Sequence, residues 1–231
     1  MPSAFFLAAD PHALDHAALR AFAAEVGLPP GPVCYIGAAH DDDRRWCKRG
    51  SDNLAKIFGR EVHAPRLSDP ALDVVAARRA LDAAAVLFLD GGDTVGLCDH
   101  VRARGLADAF TALAKRDTLI AGISAGACAV APFTIGYDDD ERPQLAPCLA
   151  LDVPVPLDVH SEDDDWSEMR ALLEVLRAHP KLAQEGVVIP SRSALCVDRK
   201  GRMGSFGRRS CERRALDAQG RWKVTEIAIR S

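Results

Sequence analysis

Short apolar runs alternate with longer amphipathic segments along the first half of the chain. The apolar runs cover residues 4–8, 33–38, 62–64, 85–89 and 119–123, and the helix-like segments lie between them, at about 12–26, up to 59, 69–83 and from 94 onward. This alternation is typical of βαβ units, and strands buried on both faces are apolar throughout. The pattern predicts an α/β fold with a mainly parallel sheet covered on both faces by helices. Ligands of such sheets bind beyond the carboxyl ends of the strands.

The pattern changes after about residue 130. Residues 143–156 are rich in proline and are predicted to form a loop, and residues 166–178 are predicted to form a helix. Short strands are predicted at 186–189, 194–197 and 222–229, where they would add an antiparallel edge. A chain of 231 residues is long enough for one buried α/β core and short for two. We therefore expect a single domain over residues 1–231.

Composition narrows the classes of partner. The net charge of −4 gives no electrostatic case for nucleic acid or an anionic membrane surface, which leaves a small soluble molecule as the expected substrate. The first residues lack the features of a signal peptide, and no apolar run reaches the length of a membrane span, so a cytoplasmic location is expected. Seven cysteines without a Cys-x-x-Cys pair indicate reduced thiols that mostly pack in the core, Cys128 among them.

The fifth apolar run leads directly into Gly-Ile-Ser-Ala-Gly at residues 122–126. A Gly-x-Ser-x-Gly turn between a strand and a helix raises its serine above the sheet edge, here Ser124. The N-terminus of the following helix, expected over residues 125–131, presents free N–H groups to a developing oxyanion. The pentapeptide alone also occurs as an ordinary glycine-rich turn. A catalytic serine additionally requires a base and an acid that orients the base.

Histidines at strand ends are the candidates for the base. His160 ends the extended segment 153–160 and is therefore the candidate base. His40 also follows a strand and precedes three aspartates, so it could lie at the ligand edge or join a weak metal site. Because no second histidine or cysteine stands at ligand spacing, a solvated loop is the simpler interpretation of His40.

Two further segments could complete the site. The candidates for the orienting acid are Asp138, Asp139, Asp140 and Glu141, which could equally form a solvated acidic loop. The glycine-rich corner at residues 89–94 follows a strand and opens a helix, so its N–H groups could form part of an oxyanion hole. A phosphate-binding loop is the alternative, but neither a Gly-Lys-Ser/Thr ending nor Gly-x-Gly-x-x-Gly is present.

Two motifs and a histidine, at this spacing and in this order, resemble the peptidase E and cyanophycinase family of serine peptidases. They are Leu-Phe-Leu-Asp-Gly-Gly-Asp-Thr at 87–94, Gly-Ile-Ser-Ala-Gly-Ala at 122–127 and the downstream His160. The resemblance implies a three-layer α/β/α sandwich of the class I glutamine amidotransferase-like (flavodoxin-like) type. It also implies a triad of Ser124, His160 and an acid, with Asp139 at the position of the acid in peptidase E and Glu141 or its neighbours as alternatives.

The same resemblance assigns further roles. The oxyanion donors would be the backbone of Gly92, Asp93 and Ala125, with Asp93 in place of an asparagine. Peptidase E removes N-terminal aspartate from dipeptides, and Arg170 matches the arginine implied to hold that side chain. A surface ion pair, for instance with Glu174, is the alternative role of Arg170.

The implied function is hydrolysis of short peptides, most simply dipeptides with N-terminal aspartate. A cyanophycinase-like isopeptidase and a non-catalytic binding protein of the same fold are the alternatives. The acidic cluster at residues 162–165 would repel an acidic substrate or attract a free amino group. No cofactor and no metal are expected, since the chain can supply the nucleophile, the base and the oxyanion donors. A homodimer is suggested by the resemblance only.

Overall fold

The computed structural model describes residues 2–14 and 16–230 and has an α/β architecture. Its strands are β1 (Ala4–Ala8), β2 (Val33–Ile36), β3 (Val62–His63), β4 (Val86–Leu89), β5 (Leu119–Ile123), β6 (Phe133–Tyr137), β7 (Pro143–Pro147), β8 (Leu157–Val159), β9 (Glu185–Ile189), β10 (Ser193–Val197), β11 (Met203–Gly207), β12 (Glu212–Leu216) and β13 (Trp222–Glu226). Its α-helices are α1 (His16–Val26), α2 (Arg44–Phe58), α3 (Val74–Ala83), α4 (Thr94–Ala103), α5 (Ala107–Ala114), α6 (Ala125–Cys128) and α7 (Ser167–Leu176).

The central sheet has the strand order β11-β10-β1-β5-β4-β2-β3. Strands β1 to β5 within it pair in parallel, whereas β10 and β11 are antiparallel and form one edge. Helices α1 and α2 pack on one face, and α3, α4, α5 and α6 pack on the other. The structure therefore confirms a mainly parallel sheet between two helical layers, with an antiparallel addition from the C-terminal third.

A second sheet, of order β13-β12-β9-β8, lies beyond this core. Helix α7 turns Met169, Leu172 and Leu176 toward Val188 of β9 and Ile135 of β6 in a separate apolar cluster. Residues 143–147, expected in a loop, instead form β7 and pair with β6 as a hairpin. Proline is tolerated there because the hairpin is a two-stranded sheet whose outer edges need no donor.

Within the described ranges, no helix is long and apolar enough to cross a membrane. All seven cysteines are buried and free, as the sequence predicts for packing residues.

Buried Asp158 joins β8 to the start of α7. Its Oδ1 accepts from the Val159 N–H at 2.7 Å and the Ser161 hydroxyl at 3.1 Å, and its Oδ2 accepts from the Met169 N–H at 3.3 Å. Removal from water opposes ionisation more than these three donors favour it, which raises the pKa of Asp158 to about 6. The strand end that carries His160 is therefore held by a carboxyl group whose pKa is raised to about 6.

Because the pKa of Asp158 is higher in the folded state than the value near 3.9 of an unfolded chain, the folded state binds this proton more tightly. The resulting stabilisation is present below about pH 4 and is lost as the pH rises through 6. We expect the stability of the wild type relative to Asp158→Asn to fall by at most about 3 kcal/mol between pH 4 and pH 7. Urea denaturation at a series of pH values measures this difference, and a difference that does not change with pH would contradict the assignment.

Candidate active site

The carboxyl end of β5 carries the strand–serine–helix turn that the sequence predicts. Ser124 has φ 50° and ψ −121° and directly precedes α6. A Cβ on Gly126 would lie 2.2 Å from the Leu89 carbonyl oxygen, and one on Gly122 would lie 2.6 Å from the Gly126 carbonyl oxygen. Only glycine fits at either position. The two glycines therefore allow α6 to pack against the end of β4 and hold the serine in its strained conformation.

The end of β8 brings His160 to this serine. The backbone N–H of His160 donates to the Ile189 carbonyl at 3.0 Å, and the residue has φ 47°. Its Nε2 lies 2.9 Å from Ser124 Oγ, across 36 positions of sequence. This is the distance of a serine hydroxyl from the base that removes its proton. The two side chains that the sequence selected as nucleophile and base are thus in hydrogen-bond contact.

A cavity of about 240 Å³ opens beside the pair, and we call it the catalytic cavity. Its lining includes the backbone of Gly92 and Ala125, apolar groups from β8 and α7, and the carboxylates of Asp158, Asp164 and Glu168. None of the described residues that line it is a lysine or an arginine. The catalytic cavity is therefore electronegative at its protein wall.

Two of these carboxylates are engaged by the protein and the third is available. Asp158 accepts its three hydrogen bonds, and Asp164 caps α7 through the Ser167 hydroxyl at 2.8 Å and the Ser167 N–H at 3.3 Å. Those bonds lower the pKa of Asp164. Among the described residues, none forms a hydrogen bond or an ion pair with the Glu168 carboxylate. Sequence reasoning missed Glu168, because a charged residue in the first turn of a helix has an ordinary role there.

The predicted oxyanion donors divide into two groups. Gly92 and Ala125 line the catalytic cavity, and the N–H of neither residue has a backbone acceptor in the described chain. The N–H of Asp93 instead donates to the Ala39 carbonyl at 2.7 Å. The Asp93 carboxylate caps α4 by accepting from the Val95 N–H at 2.9 Å. In the described chain the N–H groups of Gly92 and Ala125 therefore have no partner, whereas the N–H of Asp93 is occupied in holding the loop.

The predicted triad acid is not brought to the histidine. Asp139 lies exposed in the turn between β6 and β7. Asp138 organises that turn by accepting from the N–H groups of Asp140 and Arg142, and Glu141 adopts φ 59° in it. Across residues 2–14 and 16–230, no carboxylate forms a hydrogen bond or ion pair with His160. The structure presents a Ser–His pair and places none of the four acidic candidates beside it.

Arg170 also lies away from the catalytic cavity. Its Nη1 donates to the Gly220 carbonyl at 2.9 Å, and its Nη2 donates to Asp165 at 3.2 Å. The guanidinium carbon stands 4.4 Å from the centre of the Trp222 ring. These contacts attach α7 to the β12–β13 hairpin. The position expected to hold an aspartate side chain therefore has a structural role, with Asp165 rather than Glu174 as its partner.

A network that the sequence did not reveal supports the glycine-rich corner at residues 89–94. Asp90 Oδ1 accepts from the Gly91 N–H at 2.8 Å, and Asp90 Oδ2 accepts from the buried Tyr35 hydroxyl. His40 Nδ1 accepts from the Asp43 N–H at 3.2 Å, so His40 Nε2 carries the hydrogen and faces Asp90 Oδ2 at 3.3 Å. The only signal in the sequence was that both His40 and Asp90 follow strands. His40 thus lies at the ligand edge of the sheet in a network with Tyr35 and Asp90.

Cys128 lines the catalytic cavity, but its thiol is not activated as a nucleophile. The thiol is buried, and burial together with the nearby carboxylates of Asp158 and Glu168 raises its pKa well above the usual value. A protonated thiol is a weak nucleophile. Cys128 is therefore a packing residue, as expected.

Comparisons with known proteins agree with this architecture. A peptidase from an acI-B1 Actinobacterium matches 100% of this chain and 96% of its own at a TM-score of 0.75 and 17% identity. A protein from Listeria monocytogenes EGD-e, named "Putative Peptidase E Protein", matches 94% of this chain and 100% of its own at a TM-score of 0.60 and 16% identity. At these identities the two likenesses show the fold alone.

A search of curated proteins found no match. The family model for Peptidase family S51 matches residues 15–202, which is most of the chain and includes both glycine-rich motifs and His160. The chain belongs to Peptidase family S51.

Proposed function

We propose that this chain is a serine peptidase that hydrolyses short peptides through an acyl-enzyme on Ser124. The observation that carries the proposal is the 2.9 Å distance between Ser124 Oγ and His160 Nε2, beside two unused N–H groups on Gly92 and Ala125. A nucleophile, a base and oxyanion donors at one sheet edge are the parts that acyl transfer requires.

In the first half of the reaction, Ser124 Oγ attacks the peptide carbonyl carbon while His160 Nε2 accepts the hydroxyl proton. The carbonyl oxygen takes up the electron pair and is stabilised by the N–H groups of Gly92 and Ala125. The C–N bond then breaks, and His160 returns the proton to the leaving amine. In the second half, His160 accepts a proton from water, the hydroxide attacks the ester, and Ser124 leaves with that proton.

The charges of the catalytic cavity bear on which peptides fit. An aspartyl side chain would add negative charge to a wall with three carboxylates and no cation among the described lining residues. A free α-amino group would instead find Glu168 without a competing partner. We therefore propose that Glu168 holds the amino group of the N-terminal residue, and we expect no preference for N-terminal aspartate.

Hydrolysis of a dipeptide panel by Ser124→Ala and His160→Ala tests the reaction. Ser124 Oγ and His160 Nε2 take part in the same proton transfer. We therefore expect each substitution to lower kcat by about 10⁴-fold or more, and the double variant to lose little beyond that. Circular dichroism checks that the variants fold. Wild-type turnover by His160→Ala would contradict the assigned base, and turnover by Ser124→Ala would contradict the nucleophile.

Glu168→Gln tests the amino-group contact. Loss of a charge-assisted hydrogen bond costs about 1.5–3 kcal/mol, so KM for dipeptides with a free amino group should rise about tenfold or more while KM for their N-acetyl forms stays the same. Glu174→Gln is the control, because Glu174 is exposed on the same helix and lies outside the cavity. If KM for Asp-X dipeptides rises in Arg170→Gln and not in Glu168→Gln, the arginine is the anchor and this part of the proposal is wrong.

A further inference from the structure

A second cavity lies on the other side of the nucleophile, and we call it the α1–α2 cavity. It has a volume of about 490 Å³. Phe88 and Ile123 form part of its floor, and both belong to the core on the α1–α2 face of the sheet. The catalytic cavity is lined by Ala125, Leu157 and Val159, which belong to the core on the opposite face.

The α1–α2 cavity adjoins the reacting atoms through the chain itself. Ile123 directly precedes Ser124. Asp90, which also lines the cavity, belongs to the glycine-rich corner that contains Gly92. A peptide whose scissile carbonyl lies over Ser124 therefore has one cavity on each side of it. The N-terminal residue occupies the catalytic cavity in our proposed function, so the leaving residue extends toward the α1–α2 cavity.

The rim of this cavity presents an aromatic ring and a cation. Trp46 has 53% of its surface exposed, and the Arg49 guanidinium carbon lies 5.7 Å from the centre of its ring. Within the described part of the chain, the Arg49 guanidinium forms no ion pair and no hydrogen bond. The contact found for it is its stacking on the Trp46 ring. A large exposed aromatic beside an unpaired arginine is the composition of a binding surface.

Asp90, a carboxylate in the same lining, forms no ion pair with Arg49 in the described part of the chain. Both oxygens of Asp90 are engaged, one by the Gly91 N–H and the other by the Tyr35 hydroxyl and His40 Nε2. The remaining polar groups of the cavity include His12 and His16, which can donate hydrogen bonds. The α1–α2 cavity therefore offers hydrogen-bond donors and a guanidinium without an ion-pair partner, whereas the described lining of the catalytic cavity has no cation.

We propose that the α1–α2 cavity binds the leaving residue of the substrate, with Arg49 on its C-terminal carboxylate and Trp46 against an apolar side chain. The assignment rests on the proposed peptidase function for the direction of the chain. A dipeptide would lie with its ammonium group toward Glu168 and its carboxylate toward Arg49, and the scissile carbonyl would be at Ser124. The substrate class is thus short peptides with a free C-terminus and an apolar last residue.

Binding to the inactive Ser124→Ala protein tests this without requiring turnover. Calorimetric titration with Ala-Phe and with its C-terminal amide isolates the carboxylate. We expect the free acid to bind about tenfold or more tightly than the amide, and Arg49→Gln in the same background to remove that difference. Arg44→Gln is the control, since Arg44 is exposed on the same helix outside the cavity. Trp46→Ala should weaken Ala-Phe more than Ala-Ala.

Hydrolysis by the otherwise wild-type protein separates the two proposals. An Arg49-dependent preference for the free acid in binding, without hydrolysis of any dipeptide, would support the subsite and contradict the peptidase. Hydrolysis with equal affinity for acid and amide, or a preference that survives Arg49→Gln, would overturn the subsite and leave the peptidase standing. Failure of both dipeptides to bind would also overturn the subsite.

Discussion

The active site depends on the close approach of α6 to the end of β4. A Cβ on Gly126 would lie 2.2 Å from the Leu89 carbonyl oxygen, so this packing exists only because the residue has no side chain. The same contact fixes two features of the reaction. Next to it, Ser124 has φ 50° at the end of β5, and Ala125 lines the same cavity as Gly92. One backbone constraint therefore positions both the proposed nucleophile, Ser124, and the proposed oxyanion donor Ala125.

The base comes from a separate part of the fold. His160 follows β8, which pairs with β9 in the second sheet, and its backbone is held by the Ile189 carbonyl. Asp158 ties the same strand end to α7 by accepting from the Met169 N–H, and it also accepts from the Val159 N–H and the Ser161 hydroxyl, although burial opposes its ionisation. The 2.9 Å contact with Ser124 thus depends on the packing of the second sheet against the first. Of the two cavities, one is lined by acidic groups and the other by an unpaired arginine, and the proposed direction of a bound peptide rests on this difference.

The sequence predicted the parts of the site that depend on local patterns. Continuous apolar strands, a Gly-x-Ser-x-Gly turn and a histidine at a strand end are short-range signals. They predict the sheet and the elbow, and they select Ser124 and His160, whose side chains the structure brings into contact. The positions of the expected orienting acid, Asp139, and the expected substrate anchor, Arg170, depend on how loops direct their side chains, which local patterns do not predict. Asp139 follows a stretch that folds as the first strand of the β6–β7 hairpin, and it therefore lies in the exposed turn of that hairpin. Arg170 lies on the predicted helix but faces Trp222 and Gly220, and its contacts come from a hairpin about 50 positions later. The partners of Tyr35, His40 and Asp90 are likewise set by strand order, which one sequence does not encode locally.

The central claim is that His160 activates Ser124 in this protein. Mass spectrometry after reaction with a fluorophosphonate tests it most directly, because the reagent forms a stable bond with an activated serine and needs no peptide subsite. We expect one phosphonyl group, located on the peptide that contains Ser124, with labelling absent in Ser124→Ala and greatly slowed in His160→Ala. A folded wild-type protein that remains unlabelled, or labelling of His160→Ala at the wild-type rate, would contradict it.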